Sequence, residues 1–255
     1  MIIQDQYIVN TASKGQRIDK RGAEDYREIK VENNPLEKPE GCAQVTLGDT
    51  VVMAGVKMDL GTPFSARPDE GVLMVNAELS PIASPDFEYG PPSDEAVELA
   101  RVVDRGIRES HSIDLKKLCL KKGEKVWMVN VDIHIINHAG NLIDAAGLAA
   151  IAALWNVRIP ELKGGEVNWE KKSSKKLPMS AKPIPISFVK IGEKFFMDPD
   201  LEEETVKGAR LTVTTRDNGN VVAMQKGGTE PLTQEEVDKA LELADKKGKE
   251  IRKLI

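Results

Sequence analysis

The sequence predicts an α+β chain built from two successive units, each running from antiparallel hairpins into a helix. Three features carry that reading. Residues 45–47 and 51–56 are β-rich runs broken at Gly48-Asp49, and residues 211–215 and 221–224 flank Asp217-Asn-Gly-Asn220, so each half holds a hairpin signal. Residues 125–137 alternate, with Trp127, Val129, Val131, Ile133 and Ile135 on one face and Met128, Asn130, Asp132 and His134 on the other. Residues 145–155 are apolar all round, the pattern of a helix held between layers.

In chain order, residues 1–39 are polar and read as an N-terminal arm or irregular lead-in containing Arg17-Ile-Asp-Lys-Arg-Gly22. A first unit is expected over residues 40–160. Its opening hairpin is followed by a proline-bearing loop at residues 61–68 and a strand at 72–79. A second proline-rich loop, residues 81–92, ends at Ser93, a residue able to cap the helix that follows. Beyond the long strand, the turn at residues 138–141 leads to Asp144, read as the cap of the apolar helix. Residues 161–182, with Gly164-Gly165, Lys171, Lys172, Lys175, Lys176 and Lys182, read as a charged, mobile connector. The C-terminal unit, residues 183–255, continues with a strand at 184–191, a Gly192-Glu193 turn and a further strand from Lys194. It closes on a helix opened by the capping box Thr233-Gln-Glu-Glu236, whose buried stripe is Val237, Leu241, Ala244, Gly248 and Ile251.

Composition narrows the function classes. A net charge of −5 argues against a protein that coats nucleic acid through a broad basic surface, so any polyanion contact must be local. Aromatic residues make up only 4% of the chain, which leaves little for a base-stacking platform and favours backbone or phosphate contact. Cys42 and Cys119 are isolated, as expected of packing residues in a reducing compartment. The first residues lack a signal-peptide pattern, and the apolar run at 145–155 is too short to span a bilayer. A cytoplasmic protein with no membrane association is expected.

The segment from Glu98 to Ser110 places Arg101, Arg105 and Arg108 at i, i+4 and i+7, on one face of a helix whose opposite side carries Leu99, Val103 and Gly106. Guanidinium groups bind phosphate through paired hydrogen bonds, so the row can act as a polyanion contact. The same spacing allows a solvated, salt-bridged face, with Asp104–Arg108 and Arg105–Glu109 as i,i+4 pairs. Asp132, His134 and His138 have the ligand types of a zinc site but a loose spacing, for which a polar strand face is the plainer account. No G-x-S-x-G elbow marks a nucleophile, and neither Gly164-Gly165 nor Lys226-Gly-Gly228 opens a phosphate loop. Asp198, Asp200 and Glu202-Glu-Glu204 are a carboxylate cluster that could hold magnesium or supply an acid, or form a solvated acidic loop.

Several of these stretches together resemble the ribonuclease PH family: Arg17-Ile-Asp-Lys-Arg-Gly22, Gly41-Cys-Ala-Gln-Val-Thr-Leu-Gly-Asp-Thr50, Ala77-Glu-Leu-Ser-Pro81, and the strand, turn and alanine helix of residues 129–153. More narrowly, Phe87-Glu-Tyr-Gly-Pro-Pro-Ser-Asp-Glu95 with Glu98-Leu-Ala-Arg-Val-Val-Asp-Arg105 is similar to the non-catalytic ring subunits of the archaeal exosome. The resemblance implies the ribosomal protein S5 domain 2-like architecture, two βαβα units with helices packed between sheets. It also implies phosphorolysis of RNA from the 3′ end, and here the sequence departs from active members. Their G-(S/T)-R turn is replaced by Gly140-Asn141-Leu142, and where they carry an aspartate beyond the acidic pair this chain has Ala209-Arg210. A leucine cannot offset phosphate charge. The resemblance thus implies a subunit with no catalytic residues, metal or cofactor of its own. Its implied partner is a catalytic ribonuclease PH-like paralogue, in a trimer of heterodimers forming a hexameric ring with S1/KH-type cap proteins. Arg101 and Arg105 would bind single-stranded RNA beside the paralogue's active site, with Arg108 the weaker candidate. The rival expectations are an autonomous phosphate-dependent 3′-5′ exoribonuclease and a stand-alone RNA-binding module.

Overall fold

The computed structural model describes residues 2–163 and 166–255. Its elements are α1 (Ile2–Ser13), β1 (Ile29–Asn33), β2 (Gly41–Leu47), β3 (Thr50–Gly61), β4 (Val72–Leu79), α2 (Asp94–Glu109), β5 (Cys119–Lys121), β6 (Lys125–Asn137) and α3 (Leu142–Trp155). Then follow β7 (Arg158–Lys163), β8 (Glu166–Lys176), β9 (Ile184–Ile191), β10 (Lys194–Met197), α4 (Leu201–Val206), β11 (Ala209–Thr215), β12 (Val221–Gly228) and α5 (Gln234–Ile251). The first sheet runs β1-β2-β3-β6-β4 with β5 beside β6, and only the β4–β6 pair is parallel. That parallel pair needs a crossover, and the crossover carries α2. A second, antiparallel sheet runs β10-β9-β11-β12.

The central helix α3 lies between the two sheets, with residues 142–154 all buried. Close approach on both sides depends on missing side chains. A Cβ at Gly41 of β2 would stand 2.4 Å from the Ala153 carbonyl oxygen, and one at Gly147 of α3 would stand 2.4 Å from the Pro185 ring of β9. On the second sheet, Pro185 and Thr214 face α3 and α2, while Thr215 faces Gly248 and Arg252 at the end of α5. The layers are therefore sheet, the α2–α3 pair, sheet, and α5, with helices packed between the sheets as the family resemblance implies. The alternation of β6 holds: its five apolar positions from Trp127 to Ile135 are at most 4% exposed, and the intervening polar ones face outward. Ser93 caps α2 and Thr233–Glu236 caps α5 as the sequence predicts.

Several expectations are corrected. The N-terminal stretch is no irregular lead-in: it forms α1, and β1 pairs with β2 in the first sheet. The lysine-rich stretch is no unstructured connector, because β8 pairs antiparallel with β7. Gly164 and Gly165 lie outside the described residues. Asp144 does not cap α3; Asn141 is the N-cap residue, and Asp144 is buried in the first turn.

The acidic segment after β10 is also corrected: it is no solvated loop, since Asp198 and Glu203 are buried and only Glu202 of the five carboxylates is exposed. Asp198 is fully buried and accepts from Arg27 Nε and Nη2 at 3.0 and 2.8 Å and from Arg21 Nη1 at 2.8 Å. Arg17, 4% exposed, donates to both oxygens of Glu203 at 2.8 and 2.5 Å and to the carbonyls of Met197 and Asp198. Planar guanidinium forks suit such two-point pairing. Asp200 and Glu203 meanwhile form a reciprocal capping box that opens α4. The Arg17–Gly22 motif and the acidic segment are thus two halves of one buried junction. Burial opposes the charge of Asp198, but the hydrogen bonds and charge of Arg27 outweigh it and hold the carboxyl below its ordinary range.

Asp144 next to this junction goes the other way. It accepts from Tyr26 Oη, from Asn141 Nδ2 at 2.9 Å, and from the Ser187 amide and hydroxyl at 2.8 Å each. Burial nevertheless pushes its carboxyl up to about 6. An unfolded aspartate titrates at about 3.9, so the folded chain retains an extra proton between roughly pH 4 and 6, and stability falls as pH rises through that window. Asp198 acts only below it, losing its contribution as pH falls through its depressed value. Denaturation of the wild type and Asp144→Asn over about pH 4 to 7 separates the two: the variant should lose the downward slope toward neutral pH. An unchanged slope would show that another group causes it.

The arginine face of the second helix and the turn before the third

The helix α2 forms because Ser93 accepts from the Ala96 amide at 3.2 Å, Asp94 and Glu95 complement the positive end of the dipole, and an apolar stripe follows. That stripe buries Leu99, Val102, Val103, Gly106 and Ile107. The arginines are left on the other side, and the structure divides them. Arg108 is half-buried: it pairs with Asp104 through Nε at 3.1 Å and Nη2 at 2.7 Å and donates to the Leu73 carbonyl at 3.1 Å. The hydrogen bond with Asp104 raises its pKa. Arg101 and Arg105 are exposed. Among the described residues Arg101 has no hydrogen-bond or ion-pair partner, and Arg105 has only a long contact of 3.5 Å from Nη1 to Gln225 Oε1. The salt-bridged reading of the row therefore holds for Arg108, while the expected Arg105–Glu109 ion pair is absent among the described residues.

The turn before α3 is closely packed. Gly140 takes φ +91, and a Cβ on it would lie 2.4 Å from the Asp200 carbonyl carbon and 2.5 Å from the Leu201 nitrogen, so the start of α4 presses on the turn. Thr50 Oγ1 donates to the Gly140 carbonyl at 2.7 Å, and Arg27 Nη1 donates to the Ala139 carbonyl at 2.7 Å. Asn141 adopts a left-handed conformation with φ 54, and its side-chain amide donates to Asp144 in the first turn of α3 and to Asp198. Its backbone N–H donates to Glu204 Oε1 at 3.0 Å. The amide that opens α3 is thus capped by a carboxylate of the chain itself, the kind of group a helix N-terminus favours. Burial raises the Glu204 pKa, against the charge of Lys207, the Asn141 amide, and Arg210 and Arg27. Leu142 is buried, 6% exposed.

The remaining candidates are kept apart. His134 faces Glu78 at 3.3 Å and Asp132 accepts from Asn76 at 3.3 Å, on the outer face of the β4–β6 pair. His138 instead stacks on Phe87 with ring centroids 5.4 Å apart, and burial lowers its pKa. Among the described residues no group of three or more histidine, cysteine or acidic side chains is arranged to hold a metal ion. Sequence reasoning missed Glu204 as a cap and Arg27 as a clamp, because their partners lie 63 and more than 100 residues away.

Residues 25–160 match domain 1 of the 3′ exoribonuclease family, and residues 182–247 match domain 2. The exosome complex component Rrp42 of Methanosarcina acetivorans is 48% identical over 254 residues, covering 99% of this chain and 93% of that protein. Among solved structures, the Archaeoglobus fulgidus exosome with RNA bound to the active site contains a chain that is 44% identical. The TM-score is 0.92, with 98% of this chain and 97% of that one covered. A chain of an archaeal exosome core aligns with a TM-score of 0.88 at 41% identity, over 99% and 96% of the two chains. Both domain matches follow the boundaries of the two sheets and the helices that pack on them, and the chain belongs to the ribonuclease PH, or 3′ exoribonuclease, family.

Proposed function

We propose that this chain is a non-catalytic subunit of an archaeal-type exosome, one that structures the active site of a catalytic paralogue and helps hold RNA during 3′-to-5′ phosphorolytic degradation. The observation that carries the reading is the occupied turn before α3. Glu204 takes the Asn141 amide, α4 packs on Gly140, and buried Leu142 stands where active relatives place an arginine. An attacking phosphate at the Asn141 amide would meet the Glu204 carboxylate. Arg101 and Arg105, exposed and without a local carboxylate partner, are the groups left to meet RNA. The relatives' descriptions support the assembly: one is an exosome component, and another comes from an exosome that holds RNA.

The paralogue would supply the chemistry within a hexameric ring of three heterodimers, capped by S1/KH-type proteins and fed with single-stranded RNA. The cytoplasm is the compartment this reading implies, and no helix among the described residues is long and apolar enough to cross a membrane. Two measurements test the proposal. The purified chain alone, given oligoadenylate, phosphate and magnesium, should release no nucleoside diphosphate, and release should begin when the catalytic paralogue is added; steady release by the chain alone would overturn the reading. In the reconstituted ring, Arg105→Ala should weaken RNA binding roughly tenfold and reduce its salt dependence by about one counterion, with the mass of the assembly unchanged. Unchanged RNA affinity would remove the arginine face from the RNA path.

A further inference from the structure

Glu98 lies three and seven residues before Arg101 and Arg105, so its carboxylate shares their face of α2. A free carboxylate there would repel the phosphates those arginines attract. It is not free. Arg210 Nη2 of β11 pairs with Glu98 Oε1 at 2.5 Å, and Gln225 Nε2 of β12 donates to the same oxygen at 3.5 Å. The Oε1 of Gln225 in turn accepts from Arg105 Nη1 at 3.5 Å. The strand register explains the convergence. Arg210 stands opposite Gly227 and Thr212 opposite Gln225, so these positions share one face of the second sheet, the face on which Thr214 meets Gly106 of α2. Gly227 keeps that face open: a Cβ on it would lie 3.2 Å from Arg210 Nη2. The Arg210 side chain is only 15% exposed, whereas that of Glu98 is 40% exposed, so the acid is the more solvent-facing half of the pair.

We infer that Arg210 and Gln225 are positioning residues for RNA: Arg210 neutralises Glu98 within the arginine face, and Gln225 links that pair to Arg105. The C-terminal unit would thereby set the charge that a helix of the N-terminal unit presents. The inference rests on the reading that Arg101 and Arg105 meet RNA. Its physical content is a charge balance confined to a few ångströms, well inside the screening length of roughly 10 Å at moderate salt. With both partners present the pair adds no net charge; losing Arg210 leaves one negative charge beside the RNA, and losing Glu98 leaves one positive charge.

The test is a charge cycle in the ring reconstituted with its catalytic paralogue, reading the affinity for single-stranded oligoadenylate at fixed salt and the mass of the assembly. Arg210→Met keeps the apolar stem and should weaken binding about threefold. Glu98→Gln alone should tighten binding by a similar factor, about threefold, and the double variant Glu98→Gln/Arg210→Met should return to wild-type affinity. A merely structural role for Arg210 would not be rescued by removing a carboxylate, so an unrescued loss overturns the inference. Unchanged affinity in Glu98→Gln overturns it as well, and that variant remains informative if Arg210→Met fails to assemble. Arg105→Ala in parallel separates the two levels. If it has no effect, the RNA reading itself falls; if it weakens binding while the charge cycle is flat, only the positioning role falls.

Discussion

Asp198 is fully buried, adopts a positive φ of 50, and accepts hydrogen bonds from Arg21, Arg27 and Asn141. Breaking one side of a buried, hydrogen-bonded ion pair typically costs about 3–5 kcal/mol, because the surviving charge is left without a partner. Here a single carboxylate joins the lead-in to β1, the end of β10 and the turn before α3. Arg27 extends the junction through the carbonyls of Ala139, Gly140 and Pro199. The placement of α4, and with it Glu204, follows from this junction. So does the shape of the turn that Glu204 closes.

The second constraint is the sandwiching of α3. With alanines and Gly147 on its surface the helix lets both sheets approach closely, and α2 is carried beside it by the crossover between β4 and β6. The apolar stripe of α2 faces inward against this layer, which leaves its polar face to solvent and to the rim of the second sheet. Whether an arginine on that face is available depends on its neighbours: Arg108 falls within reach of Asp104 and the Leu73 carbonyl, whereas Arg101 does not meet a partner among the described residues.

The parts of the fold that could be read from sequence are those with local causes. The alternation of β6, the all-apolar α3, the caps at Ser93 and Thr233 and the turn at residues 217–220 need only neighbours a few residues apart. The helix α1 and the strand β1 escaped because they carry weak patterns of their own and owe their place to pairing with the rest of the chain. The arginine–carboxylate junction escaped for a stronger reason. Arg17 and Glu203 are 186 residues apart, and the local pattern around each gives no sign of the other. In the candidate site, spacing located the arginine row but could not separate Arg108 from Arg101 and Arg105, since one of the contacts that engages Arg108 comes from β4. Arg210 was legible as a reversal of charge where active relatives have an aspartate, not as the partner of Glu98, 112 residues earlier.

The packing of α4 on Gly140 bears on what a single substitution at this turn can do. A guanidinium restored at position 142 would find the neighbouring Asn141 amide already taken by Glu204, from a segment 63 residues downstream, and the backbone of Asp200 and Leu201 against the glycine. Opening the turn to an anion would take changes in two distant segments, the turn itself and the start of α4. On the proposed reading, a cation placed at position 142 alone would not make this turn an anion site, because a segment far along the chain already holds it closed.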